Sequence, residues 1–150
     1  MADAPILVIG FGNPLRGDDG VGWRVAQALE ALALPEQVTI ITCQQLTPEL
    51  AEPVSQASLV ILIDAARGGI PGTIDCQLVP LETQPPPTLG HHVEPGALLA
   101  YAQALYGSAP PLWLWTIMGE AFESGDSLSP PVEAAVPALA HVLCDSIHEL

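Results

Sequence analysis

The chain has no lysine. Arg16, Arg24 and Arg67 are its only strong cations, against 17 acidic side chains, and the formal charge is −14. A surface of that sign repels nucleic acid and anionic membranes, so neither is expected as a partner. It suits a basic protein partner, or serves solubility alone. Cysteine is equally scarce. Cys43, Cys76 and Cys144 are odd in number and lack paired spacing, which argues against a disulfide framework and fits a reducing compartment. No apolar run reaches the length of a membrane span, and no basic-then-apolar leader opens the sequence. The expectation is a cytosolic (cytoplasmic) protein. A G-x-S-x-G nucleophile elbow is also missing.

What is present is ample apolar material. At 150 residues and 49% hydrophobic composition, residues 1–150 make one domain with a real core and are too short for two. No internal repeat or linker divides them.

The chain is organised around the stretch from Ile6 to Gly22. Four apolar residues, Ile6 to Ile9, run into Gly10-Phe11-Gly12-Asn13; Asp18 and Asp19 follow, and then an amphipathic helix begins. A phosphate site at that helix start would need bare N–H groups, because the helix dipole attracts anions. Two fixed carboxylates repel a phosphate, so this loop should meet a cation, most economically a metal ion. Gly10 and Gly12 also lack the third glycine of a dinucleotide fingerprint, with Leu15 in its place.

The remaining pattern predicts strands over Pro5–Gly10, Val38–Cys43, Leu59–Ile63, Thr73–Val79 and Leu112–Met118. It predicts helices over about 20–32, 48–56, 95–105 and 130–148. Residues 80–94 form a Pro-rich irregular loop. The order β-α-β-α-β-β-α-β-α implies a three-layer α/β/α fold around a five-stranded, twisted, mostly parallel sheet. The link before the fourth strand is too short for a crossover helix, so that strand should pair antiparallel at an edge. Right-handed crossovers place the first strand between the second and third, and a ligand crevice opens where the strand order reverses. Asp19 follows the first strand and Asp64 ends the third, so the topology brings both carboxylates to that crevice.

Each candidate has a plainer reading. Asp18 or Asp19 serves as a helix cap, but only one cap is needed. Asp64 would then be a structural acid at a strand end, paired with Arg67 three residues on, and Arg16 likewise lies three residues before Asp19. His91 and His92 lie in the irregular loop, and adjacent histidines point in different directions, so one at most joins a given site. Two carboxylates and one imidazole would hold nickel, zinc or a similar ion. A rival cluster, His141 with Cys144 or Asp145 and His148, shares one face of the last helix, where a solvated face is the commoner outcome. Cys43 with His91 would make a thiol–imidazole pair, against simple burial of the thiol.

Residues Gly10-Phe11-Gly12-Asn13-Pro14-Leu15-Arg16-Gly17-Asp18-Asp19-Gly20-Val21-Gly22, Ile63-Asp64-Ala65, Pro71-Gly72 and the His91 loop together resemble the nickel-iron hydrogenase maturation endopeptidases. These proteases remove a C-terminal extension from the hydrogenase large subunit. The resemblance covers essentially the whole chain. It implies a phosphorylase/hydrolase-like fold and a metal-dependent, aspartic-type endopeptidase without a serine or cysteine nucleophile. The partner would be the large-subunit precursor, which supplies the nickel, with none tightly bound to the protease at rest. By position, Asp19, Asp64 and His91 are the residues that meet the metal and act in cleavage, with Asp18 left as the cap. The family often carries Glu where this chain has Asp19. His91 rather than His92 keeps the spacing to Leu99 and the fifth strand. Where some members have Asp-Gly-Gly-Thr after the second strand, this chain has Thr42-Cys43-Gln44-Gln45-Leu46-Thr47, and Gln45 becomes the candidate substrate contact. Arg16 and Arg67 are expected to hold the site carboxylates or to bind the extension. A non-cleaving nickel-binding chaperone for the same precursor shares every one of these features.

Overall fold

The computed structural model describes residues 4–82 and 93–150. Its five strands are β1 (Ile6–Phe11), β2 (Val38–Cys43), β3 (Leu59–Ala66), β4 (Ile74–Leu78) and β5 (Leu112–Met118). Four helices accompany them: α1 (Val21–Glu30), α2 (Ala51–Gln56), α3 (Pro95–Tyr106) and α4 (Pro130–His148). The sheet order is β2-β1-β3-β5-β4, parallel throughout except for β4, which pairs antiparallel with β5 at the edge. This is the expected architecture, with β1 between β2 and β3. Among the described residues, no helix is long and apolar enough to cross a membrane.

Alternation along the strands divides the interior into two cores. Ile6, Val8, Ile61, Ile63 and Ile117 point to one face, where α1 and α4 cover them with Val25, Leu29, Leu139 and Leu143. Leu7, Ile9, Val60, Leu62 and Leu112 point to the other, beneath Val54 of α2 and Leu98 of α3. β3 is the middle strand, and Val60, Leu62 and Ile63 are fully excluded from solvent. That double burial explains its continuous apolar run.

The strand ends are where the sequence reading needs correction. β3 does not stop at Asp64. It continues through Ala65 and Ala66, because β5 still offers it a ladder: Asp64 lies opposite Thr116 and Ala66 opposite Met118. On its other side, β1 stops pairing with β3 at Gly10–Ile63, yet stays with β2 as far as Phe11–Cys43. β1 and β3 therefore part company just before Asp64, and the sheet opens there. Gly22 permits the close approach of α1 at this point, since a Cβ on it would lie 2.4 Å from the Ile63 carbonyl oxygen.

Candidate active site

The opening between β1 and β3 is the floor of a cleft of about 460 Å³. Phe11, Gly12 and Asp19 form one wall, Gln44 and Gln45 another, and Val93, Glu94 and Pro95 the far side, with Asp64 and Leu114 rising from the sheet. Asp64 shares the strand face of Val60 and Leu62, so it points toward the α2/α3 side.

The first loop holds Asp19 by its own backbone. The Asn13 N–H donates to Asp19 Oδ2 at 2.7 Å, and the Leu15 N–H donates to Asn13 Oδ1 at 2.9 Å. Gly12 makes this turn possible. Its φ is +137°, and a Cβ there would lie 2.0 Å from the Asp19 carbonyl oxygen. The carbonyl of Cys43 ties in the end of β2, accepting from the Gly12 N–H at 3.1 Å and from Trp23 Nε1 at 3.0 Å.

Asp64 is the electrostatically distinctive group. Burial pushes its carboxyl up to about 7, against the Ala65 N–H, which pulls it down; the charges of Asp19 and Glu94 add to the rise. Glu94 is the cleft carboxylate that sequence reasoning missed. The signal for it was its place directly before Pro95 at the helix start, on the far bank of the crevice.

Asp18 is not the helix cap. The Gly17–Gly20 turn and α1 both begin without a side-chain cap. Asp18 is instead wholly buried. Its Oδ2 accepts from the N–H groups of Glu120 at 2.8 Å and Ala121 at 2.9 Å and from Ser129 Oγ at 2.7 Å, while Oδ1 accepts from the Ser129 N–H at 2.7 Å. Burial alone would raise this carboxyl, but those donors outweigh it and hold it below the usual carboxylate range. All four bonds reach across the fold to residues 119–129, a distance in sequence that no local capping rule anticipates.

The arginines also do something other than expected. Among the described residues, the one ion pair is Arg24 of α1 with Glu133 of α4, at 3.6 Å and exposed. Neither Arg16 nor Arg67 pairs with a site carboxylate. Arg16 bridges Gly125 through its backbone, and the Arg67 guanidinium lies 3.6 Å above the Phe122 ring centroid.

The rival cluster on α4 is occupied with structural bonds. His148 Nε2 lies 2.6 Å from the Ala33 carbonyl oxygen and His141 Nδ1 lies 2.8 Å from that of Pro137, which requires a proton on each of those nitrogens. Among the described residues, no three His, Cys, Asp or Glu side chains are grouped to hold a metal. His91 and His92 fall in 83–92, outside the described residues. The three cysteines are free, and burial pushes the Cys43 thiol up, away from nucleophilic use.

No family model matches the chain. The hydrogenase 2 maturation protease of Escherichia coli strain K12 is 31% identical over 147 residues, spanning 92% of this chain and 88% of its own length. The hydrogenase maturating endopeptidase HybD from E. coli has the same fold, with a TM-score of 0.74 at 27% identity over 97% of this chain and 93% of its own. The NiFe hydrogenase maturation protease HycI from Thermococcus kodakarensis KOD1 has a TM-score of 0.77 over 97% of this chain and 93% of its own, and at 23% identity it supports the fold alone. A 31% identity to a maturation protease over nearly the full length of both chains, on a sheet that opens beneath Asp19 and Asp64, places the chain in the hydrogenase maturation protease family.

Proposed function

We propose that the protein is an endopeptidase that removes the C-terminal extension from the nickel-loaded large-subunit precursor of a nickel-iron hydrogenase. The observation that carries this reading is the meeting of Asp19 and Asp64, far apart in sequence, on one cleft in a chain of this family. Asp19, Asp64 and His91 are the residues assigned to the substrate's nickel and to cleavage.

Physical chemistry supports the assignment. Asp19, Asp64 and Glu94 line the cleft and, among the described residues, no cation does, so its potential draws a positively charged group inward. Carboxylate oxygens with one imidazole suit a divalent transition ion. Nickel carried by the precursor would anchor it and lay the extension along the cleft. Water then attacks the scissile carbonyl carbon, giving up a proton, and the departing amine gains one as the C–N bond breaks. Burial raises the Asp64 carboxyl to about 7 in the free protein, so a metal arriving with the precursor would displace its proton and take the carboxylate as a ligand. No protein nucleophile is needed. Three free cysteines support a cytoplasmic setting.

The test is a processing assay with purified nickel-loaded precursor, reading removal of the extension by mass. Shortening of the precursor by the wild-type chain, lost in Asp19→Asn and Asp64→Asn, is the expected result. Stable binding without shortening would make the protein a chaperone instead. A nickel-free precursor cleaved equally fast would remove nickel as the recognition element.

A further inference from the structure

Residues 119–129 form a strap that touches the supports of both cleft carboxylates. Toward Asp19, the strap is stitched to the first loop by three backbone bonds: Gly17 N–H to Gly125 O, Asp18 N–H to Ala121 O and Gly125 N–H to Leu15 O, each 2.8 Å. The four bonds to the buried Asp18 carboxylate reinforce them. Toward Asp64, the Gly119 N–H donates to the Ala66 carbonyl at 2.7 Å, and Arg67 stacks on Phe122. Leaving the C-terminal end of β5, the strap therefore holds both the first loop beside Asp19 and the end of β3 just beyond Asp64.

Most of the strap is exposed, and such a segment earns little order from apolar burial. Its order comes from Asp18, a charge without a cationic partner among the described residues, satisfied entirely by strap donors. A buried carboxylate costs stability unless it is fully hydrogen-bonded. Its retention here points to what it holds.

We infer that the strap is the spacer that sets Asp19 against Asp64, with Asp18 and Arg67 as its positioning residues; neither touches substrate. The inference rests on the peptidase reading only for its effect on rate. Asp18→Asn keeps the size but turns one oxygen into an NH2, which must face at least one strap donor. Arg67→Gln, an exposed change that leaves the core intact, removes the stack on Phe122.

The test combines backbone 15N relaxation of the full chain with processing kinetics. In Asp18→Asn the order parameters of the Asn13 and Asp19 amides are expected to fall from about 0.85 to below about 0.6, with Leu62 unchanged. The kcat should fall about 10- to 100-fold with little change in KM, since small misplacement of reacting groups costs that much. Arg67→Gln should move kcat the same way by a smaller factor, and it carries the test if Asp18→Asn does not fold. Unchanged order at Asn13 and Asp19, or loosened order with unchanged kcat, would overturn the inference. So would Arg67→Gln raising KM at constant kcat, which would make Arg67 a substrate contact. If the wild-type chain leaves the precursor whole, the peptidase reading fails while the relaxation data still decide whether Asp18 and Arg67 order the loop.

Discussion

Asp64 sits directly opposite Thr116 on β5, while on its other side the ladder to β1 has already ended at Ile63. One edge of its backbone is fixed and the other opens on the cleft. Burial in that position raises its carboxyl to about 7. Between the unfolded value, about 4, and 7, the folded chain holds a proton that the unfolded chain has lost, so this group's contribution to stability declines as pH rises through that window. Asp64→Asn, uncharged and nearly isosteric, should match the wild type in Tm at pH 4 and exceed it at pH 8, with chelator present. Equal Tm values at pH 8 would mean that the carboxyl is not raised.

Asp18 has the opposite sign. Its folded value lies below the ordinary 3.8, so its stabilisation is fully present above that value and is lost as pH falls through the folded one. At pH 7, Asp18→Ala leaves three N–H donors and one hydroxyl without their acceptor, and a loss of about 3 kcal/mol or more is expected. Urea midpoints should show this gap at pH 7 and a narrowing gap below the ordinary carboxylate range. A gap independent of pH would contradict the charged state assigned to Asp18.

Gly12 supplies a third prediction. Any side chain there meets both a left-handed φ and the Asp19 carbonyl at 2.0 Å. Gly12→Ala should therefore cost more than the roughly 1 kcal/mol of an ordinary Gly exchange and should also impair processing, because the turn must move Asp19 to make room. Wild-type activity in Gly12→Ala would show that the cleft tolerates a displaced Asp19.

What the sequence made legible divides from what it hid along physical lines. Elements built on periodicity were legible, because burial on a sheet face or helix stripe writes itself into alternating or helical spacing. So were the strand order and the crevice, which follow from crossover handedness and link length. The end of β3 was not, since Ala65 and Ala66 carry no strand signal and pair only because β5 continues beside them. Asp18 defeated local reasoning for a related cause. A carboxylate at a helix start reads as a cap, and nothing near it in sequence announces four donors from 119–129. Arg67 lay near Asp64 in sequence, yet proximity along a strand end does not fix where a long side chain goes, and Phe122 offered it a ring face.

Glu94 tests how the cleft tunes its central acid. Its charge is one of the two that raise Asp64 beyond what burial does. Glu94→Gln removes that repulsion and should lower the Asp64 value, moving the acidic limb of the kcat/KM profile, which reports the free enzyme, toward lower pH. Gln45→Ala, on the opposite wall, is expected to act mainly on KM, because an amide contacts substrate without taking part in proton transfer. A pH profile unmoved by Glu94→Gln would show that the two carboxylates are screened from each other.

The third donor remains the sharpest choice, between two neighbours. A precursor-borne metal held by Asp19 and Asp64 still calls for a softer nitrogen ligand if nickel is to be favoured over magnesium or calcium. Two adjacent residues project their side chains in different directions, so the loop can aim one imidazole at the cleft while the other points away. The proposed function gives that role to His91, which keeps the spacing to Leu99 that the family resemblance implies. His91→Ala should slow processing about 100-fold or more, the range for losing a catalytic imidazole, while His92→Ala stays within a few-fold of wild type. The reverse pattern would move the assignment by one residue and leave the cleft carboxylates as they are. Loss in neither variant would leave Asp19 and Asp64 to meet the nickel alone.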